Sequence, residues 1–215
     1  MPLATMRLYH APSSPNSRRV RVYLAEKGLA IPLVPIDLAG KEQFSEAYRA
    51  INPRSVVPTL VLDDGTAIGE VPAIWRFIEE SYPEPPLLGA NPMEKALITM
   101  WERRMELEGF AAVMEAVRNS VPGLKGRALA GPHAYEQIAA LGERSKQRVR
   151  DFYADLNERL SALPFVAGDT FSAADITACV TVDFAIRALD MPAPVALSNL
   201  RRWHEKVSAR PSMAA

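Results

Sequence analysis

Residues 55–66 read SVVPTLVLDDGT, and the proline inside this apolar run decides what fold the chain can adopt. Val56, Val57, Thr59, Leu60, Val61 and Leu62 have the β-branched and apolar character of a strand. Asp63-Asp64-Gly65 has the composition of a tight hairpin turn. Pro58 has no backbone N–H to give to a ladder. Either the strand starts at Thr59, or Pro58 follows a cis peptide bond that turns the preceding backbone outward to pair with something else.

Upstream, MRLYH (6–10) reads as a short strand, SRRVRVYLAEKGL (17–29) as a helix ended by Gly28, IPLVPIDL (31–38) as a second strand, and EQFSEAYRAI (42–51) as a short helix closed before Asn52-Pro53. Downstream, Ala67-Ile68 is a brief strand and PAIWRFIEESY (72–82) a helix. The order is β-α-β-α-β-β-α. Strand, helix, strand predicts a parallel crossover, and the Asp64-Gly65 turn predicts an antiparallel hairpin, so the four-stranded sheet is expected to be mixed, with helices on both faces.

After residue 82 the pattern changes. Pro83, Pro85, Pro86 and Pro92 are incompatible with continued helix and suit an exposed connector. The expected organisation is a first domain over 1–83, a linker over 84–92 and an all-helical second domain over 93–215. Helices are expected at 93–120, from Ala134 to about Leu163, at 173–189 and at 199–209, with no strand. Ser172-Ala173-Ala174-Asp175 has capping-box spacing with Asp in place of Glu, and the helix it opens is apolar on nearly every side, as a buried central helix would be.

Lys plus Arg equals Asp plus Glu at 25 each in 215 residues, and neither half is basic, so no surface for a nucleic-acid backbone is expected. The amino terminus lacks a basic leader followed by an apolar segment, and no apolar run approaches the ~18 residues of a membrane span. A cytoplasmic protein is the expectation. The one cysteine, Cys179, excludes an intrachain disulfide and leaves too few thiols for a structural zinc cluster; it reads as a small, inert core residue. His10, His133 and His204 are scattered without metal-ligand spacing, so no metal is expected.

The α/β order with a proline entering the third strand is the thioredoxin-like layout. Together with SPNSRRVRVYLAEKGL, NPRSVVPTLVLDDGT, GEVPAIWRFIEESYP and PFVAGDTFSAADIT it makes the whole chain resemble the cytosolic glutathione transferase family. MWERRMELEGF and AVRNSVPGLKG are similar to one bacterial and fungal branch. The resemblance implies a cis Pro58, with Val57 offering its N–H and C=O to the cysteine of glutathione as one more antiparallel strand. It implies glutathione as co-substrate with no other cofactor, and a small hydrophobic electrophile held against the helical domain. Conjugation is the leading activity. Peroxide reduction, dehalogenation, isomerisation or a non-catalytic binding role are the alternatives on the same scaffold.

No thiol stands in Ser14-Pro15-Asn16-Ser17, so the nucleophile must come from bound glutathione, whose cysteine-like thiol has a free pKa of ~8.5. By register Ser14 matches the catalytic serine of serine-type members, although Ser13, Ser14, Asn16 or Ser17 could equally be a plain helix cap. Some relatives carry glycine there and use water or other polar groups; Asn16, His10, Arg118 and Asn119 are the reserves. Glu70 matches the residue that meets the γ-glutamyl amino group. The serine expected next is Val71, which leaves only the backbone N–H at a helix start for the carboxylate. Gln43 matches a contact to the glycyl end, where Val56 replaces a frequent Gln or Lys; Lys41 and Arg54 read mainly as solvated surface. For the electrophile, His10, Met105, Phe110, Met114 and Arg118 are candidates, with core packing as the competing reading for the apolar ones. A homodimer is expected, using Trp75, Arg76 and Glu79 of one segment and Trp101, Met105 and the charges at 102–106 of another.

Overall fold

A computed structural model describes residues 6–215; positions 1–5, which open the amino-terminal stretch discussed above, lie outside the described residues. The chain divides into two compact units. The first runs up to Pro85 and includes Ala130–Pro132 and Ala214–Ala215, and the second comprises Pro86–Leu129 and His133–Met213.

The first unit follows β1 (Arg7–His10), α1 (Pro15–Glu26), β2 (Leu33–Pro35), a 3-10 turn (Glu42–Phe44), α2 (Glu46–Ile51), β3 (Thr59–Val61), β4 (Ala67–Ile68) and α3 (Val71–Ser81). The sheet order is β2-β1-β3-β4; β1 pairs parallel with β2 and antiparallel with β3, and β3 pairs antiparallel with β4. The mixed sheet is the one expected. β3 begins at Thr59, and the Val57–Pro58 bond is cis, so both readings of the opening stretch hold together. Gly65 takes φ +86° in the hairpin turn, a conformation that favours glycine.

Alternation along β1 sends Leu8 (0% exposed) to one face and Tyr9 to the other, where it joins a cluster of Ala11, Ile36, Tyr48 and Val57. α1 and α3 pack against each other, with Tyr23 stacked on Trp75 at 5.1 Å. The Tyr23 hydroxyl donates to Glu79, which also pairs with the buried Lys27 at 2.6 Å. Lys27 Nζ donates to the carbonyls of Tyr82, Pro83 and Pro85 and so holds the chain where α3 ends. Trp75 and Glu79 are therefore spent inside this unit, which corrects their expected place on a dimer face.

The second unit contains α4 (Pro92–Arg104), a π-helical turn (Met105–Phe110), α5 (Ala111–Ser120), α6 (Ala139–Arg159), α7 (Ala173–Leu189) and α8 (Ser198–Ser208). Pro92 is the first residue of α4, capped by Asn91, whose Oδ1 accepts from the Glu94 amide. The linker expected to reach residue 92 thus ends one residue earlier. The single helix expected over 93–120 carries the π turn where Gly109 faces α6; a Cβ there would lie 2.5 Å from the Phe152 ring. Residues 134–138, expected to be helical, are extended: Tyr135 exchanges backbone bonds with Gly126 and Ala128, and α6 starts only after Ile138, whose amide donates to Asn119.

Asp175 is the polar centre of this unit. It is wholly buried, and its carboxylate accepts from the Val166 and Ser172 amides, the Ser172 hydroxyl and Trp203 Nε1. Those bonds join the preceding loop, α7 and α8. The expected capping box is present. Burial pushes the Asp175 carboxyl up to about 6, against the pull of its four donors. A folded-state value above the unfolded one means that its stabilisation is complete below the unfolded pKa and declines as pH rises through about 6. Asp175→Ala leaves buried donors with no acceptor. Urea unfolding should show a loss of about 3 kcal/mol or more, and a larger loss at pH 5 than at pH 7.

Candidate functional site

Parallel pairing of β1 and β2, and antiparallel pairing of β1 with β3, bring the ends of β1 and β2 and the beginning of β3 to one edge of the sheet. β4 runs back beside β3, so Gly69, Glu70 and the start of α3 return to that same edge. Ser14, Gln43, Val57, Glu70 and Val71 all lie on segments that emerge there.

Ser14 is the N-cap of α1. Its Oγ accepts from the Ser17 amide at 3.2 Å, and its amide donates to the Ala11 carbonyl. The capping bond uses an oxygen lone pair and leaves the hydroxyl proton available to another acceptor. No acidic side chain stands in the first turn, so the positive end of α1 is not offset there. The neighbours are committed elsewhere: Ser17 Oγ accepts from the Ala11 amide, and Asn16 Oδ1 accepts from Arg19.

Ala11 also packs in the cluster that holds Val57, so Ser14 and Val57 flank one residue. The carbonyl of Val56 accepts from the Tyr48 hydroxyl at 2.7 Å and from Asn52 Nδ2 at 3.1 Å, with a longer bond from Thr59 Oγ1. Because the Val56–Val57 peptide is planar and trans, its N–H points opposite to that carbonyl, away from Tyr48 and Asn52. No hydrogen bond of the Val57 backbone is found among the described residues. Asn52 and Tyr48 were not read from the sequence as site residues; the Asn-Pro pair was read only as a helix stop.

Gln43 is 1% exposed, and neither atom of its amide has a hydrogen-bond partner among the described residues. A buried amide without a partner costs a few kcal/mol. Glu70 adopts φ +63°, a strained conformation for a residue with a side chain, and leads into α3 without capping it. Val71, buried, is the first residue of α3; Ala73 and Ile74 donate to the Glu70 carbonyl and Pro72 has no amide, so the Val71 N–H is the one that points out of this helix end. A cleft of about 390 Å³ beside this edge is lined by Ala11, Pro12, Ser13, Ile36, Leu38 and Glu42.

His10 is turned onto α1, where Arg21 donates to its Nδ1 at 3.2 Å. Burial first, and the Arg21 charge second, hold its pKa below the usual histidine range, so the ring is neutral near pH 7. Lys41 and Arg54 are exposed. In the helical unit Met105 and Phe110 are buried at 3% and 5% exposure, as core packing requires, while Met114 is half-buried. Met105 also borders a cleft of about 490 Å³ with Trp101, Phe152 and Arg159, whose guanidinium lies 4.0 Å from the Trp101 ring. Arg118 donates to the Arg127 carbonyl, and burial, then the Arg127 charge, lower its pKa. Its neighbour Asn119 is buried and bonded to Glu115 and Ile138. The thioredoxin-like edge is thus assembled from the first unit's own residues.

Residues 8–86 match the family model for the N-terminal domain of glutathione S-transferase, and residues 139–206 match that for its C-terminal domain. The chain is 34% identical over 211 residues to glutathione S-transferase 2 of Saccharomyces cerevisiae, an alignment that spans 97% of this chain and 88% of the relative. A crystal structure of a glutathione S-transferase domain-containing protein from Marinobacter aquaeolei superposes with a TM-score of 0.88 at 36% identity, over 96% of this chain and 99% of that one. The crystal structure of yeast Gtt2 gives a TM-score of 0.88 at 33% identity, over 97% and 98% of the two chains. A shorter stretch of 93 residues is 42% identical to maleylacetoacetate isomerase of Pseudomonas aeruginosa, spanning 42% of this chain and 44% of that enzyme.

Asn52→Ala removes one of the two shorter bonds to the Val56 carbonyl and the donor to the buried Thr59 hydroxyl. Tyr48 remains. Urea denaturation should show a loss of about 1–3 kcal/mol, and amide exchange should rise locally around Val56 and Val57; unchanged exchange there would mean that Asn52 does not hold this peptide.

Proposed function

The chain belongs to the glutathione S-transferase family, and from that premise we propose that it binds glutathione along the edge formed by Ser14, Gln43, Val57, Glu70 and Val71 and conjugates its sulfur to a small hydrophobic electrophile. The cysteinyl backbone of the tripeptide pairs with the outward N–H and C=O of Val57 in the manner of an added strand. The sulfur then lies beside the N-terminus of α1. There the Ser14 hydroxyl, whose proton the cap leaves available, donates to the thiolate. The observation that carries the reading is the cap itself, in which Ser14 Oγ accepts from the Ser17 amide and keeps its own proton for another acceptor.

The γ-glutamyl end meets Glu70 and the Val71 amide. The hydroxyl that a serine would add at position 71 is absent, so the carboxylate relies on the amide and the helix dipole. Gln43 supplies its unpartnered amide to the glycyl end. In the conjugation step the thiolate sulfur forms a bond to the electrophilic carbon, and the leaving group departs with the electron pair of the broken bond; in an addition, the acceptor takes a proton from solvent instead. The apolar cleft beside Ser13 seats part of the electrophile. The reaction uses glutathione as co-substrate and calls on no other cofactor. The partial similarity to an isomerase favours one second reading: the same thiolate adds to an unsaturated acid and leaves again after bond rotation.

No described helix is long and apolar enough to cross a membrane. On assembly, α4 exposes Met93, Leu97 and Met100 at 68%, 41% and 42%, spaced i, i+4 and i+7 along one face. We assign this stripe, in place of Trp75 and Glu79, to a two-fold homodimer; zero formal net charge leaves little repulsion against pairing. Glu102, also expected on that surface, is buried and accepts from Thr177.

Ser14→Ala should lower turnover with an aryl halide electrophile by about 10²-fold and raise the apparent pKa of bound glutathione, while millimolar glutathione still raises the melting temperature. An unchanged pH–rate profile would transfer the role to a water or another group. A chain that glutathione fails to stabilise would sink the binding site itself.

Light scattering at micromolar concentration should give twice the 23.6 kDa chain mass, and Leu97→Glu should give the monomer. A monomeric wild-type chain rules out the dimer.

A further inference from the structure

Cys179 and Asp183 stand four residues apart on α7, and His204 and Ser208 four apart on α8. That spacing places each pair on one face of its helix. The two pairs meet. His204 Nε2 and Asp183 Oδ1 are 2.6 Å apart, Cys179 Sγ and Ser208 Oγ 3.6 Å, and the ligand atoms of Cys179, Asp183 and His204 all lie within 4.8 Å of one another. The geometry points to a divalent transition-metal site of the zinc type between α7 and α8, with Cys179, Asp183 and His204 as ligands and the Ser208 hydroxyl or a water in the fourth position.

The donor set selects the metal. A thiolate, an imidazole and a carboxylate suit Zn²⁺, which takes S, N and O ligands tetrahedrally at roughly 2.0–2.3 Å. Neighbouring donors around such an ion are then roughly 3.3–3.6 Å apart. The His204–Asp183 contact therefore opens by somewhat under ~1 Å on binding, and the sulfur closes toward the other two. The half-exposed side chains of His204 and Asp183, 22% and 25% accessible, give the ion a path from solvent, while Cys179 forms the closed floor. Binding displaces the thiol proton of Cys179 to solvent. The competing account is that a hydrogen bond between His204 and Asp183 packs α8 against α7 and the thiol fills the remaining space.

None of this was legible in residue spacing, because the ligands come from two helices. The site is separate from the glutathione edge, which is built from residues of the first unit. The single cysteine makes the test specific: any thiolate-to-metal band reports Cys179 alone. Untagged, metal-free full-length protein, without glutathione or thiol reductant, is titrated with Co²⁺. The expected result is one Co²⁺ per chain, with a thiolate-to-cobalt charge-transfer band in the near ultraviolet and the visible bands of a tetrahedral ion, both removed by one equivalent of Zn²⁺. Cys179→Ser should lose the charge-transfer band. His204→Ala and Asp183→Asn, at half-exposed positions, should each weaken Co²⁺ binding at least ~10-fold. Zn²⁺ should also raise the melting temperature of the wild type and not that of His204→Ala. Absence of the charge-transfer band in the wild type overturns the site. So does its full retention, at unchanged affinity, in His204→Ala.

Discussion

The Val56 carbonyl is fixed by the Tyr48 hydroxyl and Asn52 Nδ2, and the proposed binding edge depends on that constraint. Peptide planarity converts the two bonds into a direction for the Val57 N–H, which has no other partner among the described residues. The same Asn52 accepts from the Arg54 amide and donates to Thr59, the first residue of β3. One buried side chain thus ends α2, shapes the loop and starts the strand. Gly69 passes close by, where an added Cβ would lie 3.8 Å from Asn52 Nδ2, so the approach to α3 is tied to the same place. Local order in this loop thus fixes both the Val57 peptide and the approach to α3.

The sequence was most informative where the backbone itself was unusual. Pro58 inside a strand-like run and Asp64-Gly65 each restrict φ or remove a donor, and the sheet and the hairpin follow from those restrictions. Ser172 and Asp175 belong to the same class, since a capping box is a local device. What could not be read was set by tertiary packing. The π turn at Met105–Phe110 accompanies the approach of Phe152 to Gly109, and nothing in MELEGF signals it. Residues 134–138 have an acceptable helical composition, but the Tyr135 backbone is paired with Gly126 and Ala128 instead.

Burial separates the candidate residues in a similar way. Trp75, Glu79 and Glu102 look like surface residues at helical spacing, yet Trp75 stacks on Tyr23, Glu79 serves Lys27 and Glu102 receives Thr177. Met93, Leu97 and Met100 look like core residues and are the exposed ones. Period alone cannot distinguish an apolar stripe that faces its own unit from one that faces outward. That the Gln43 amide is buried without a partner is a property of three-dimensional packing, which its place in EQF does not signal.

In the proposed site, the Ser14 hydroxyl and the N-terminal end of α1 act on the same sulfur. Each pKa unit by which a thiol is lowered from ~8.5 takes about 1.36 kcal/mol. A helix N-terminus contributes ~0.3–1 kcal/mol at an exposed position, up to ~2 when partly buried. A hydrogen bond to a charged group contributes about 1.5–3 kcal/mol. Both act on the same charge, and together they stabilise it by more than either does alone. His10 supplies no positive charge, because burial and Arg21 keep its ring neutral, and α1 opens with no acidic residue to cancel its field. Dipoles already in place would stabilise a thiolate there without rearrangement as charge leaves the sulfur during attack.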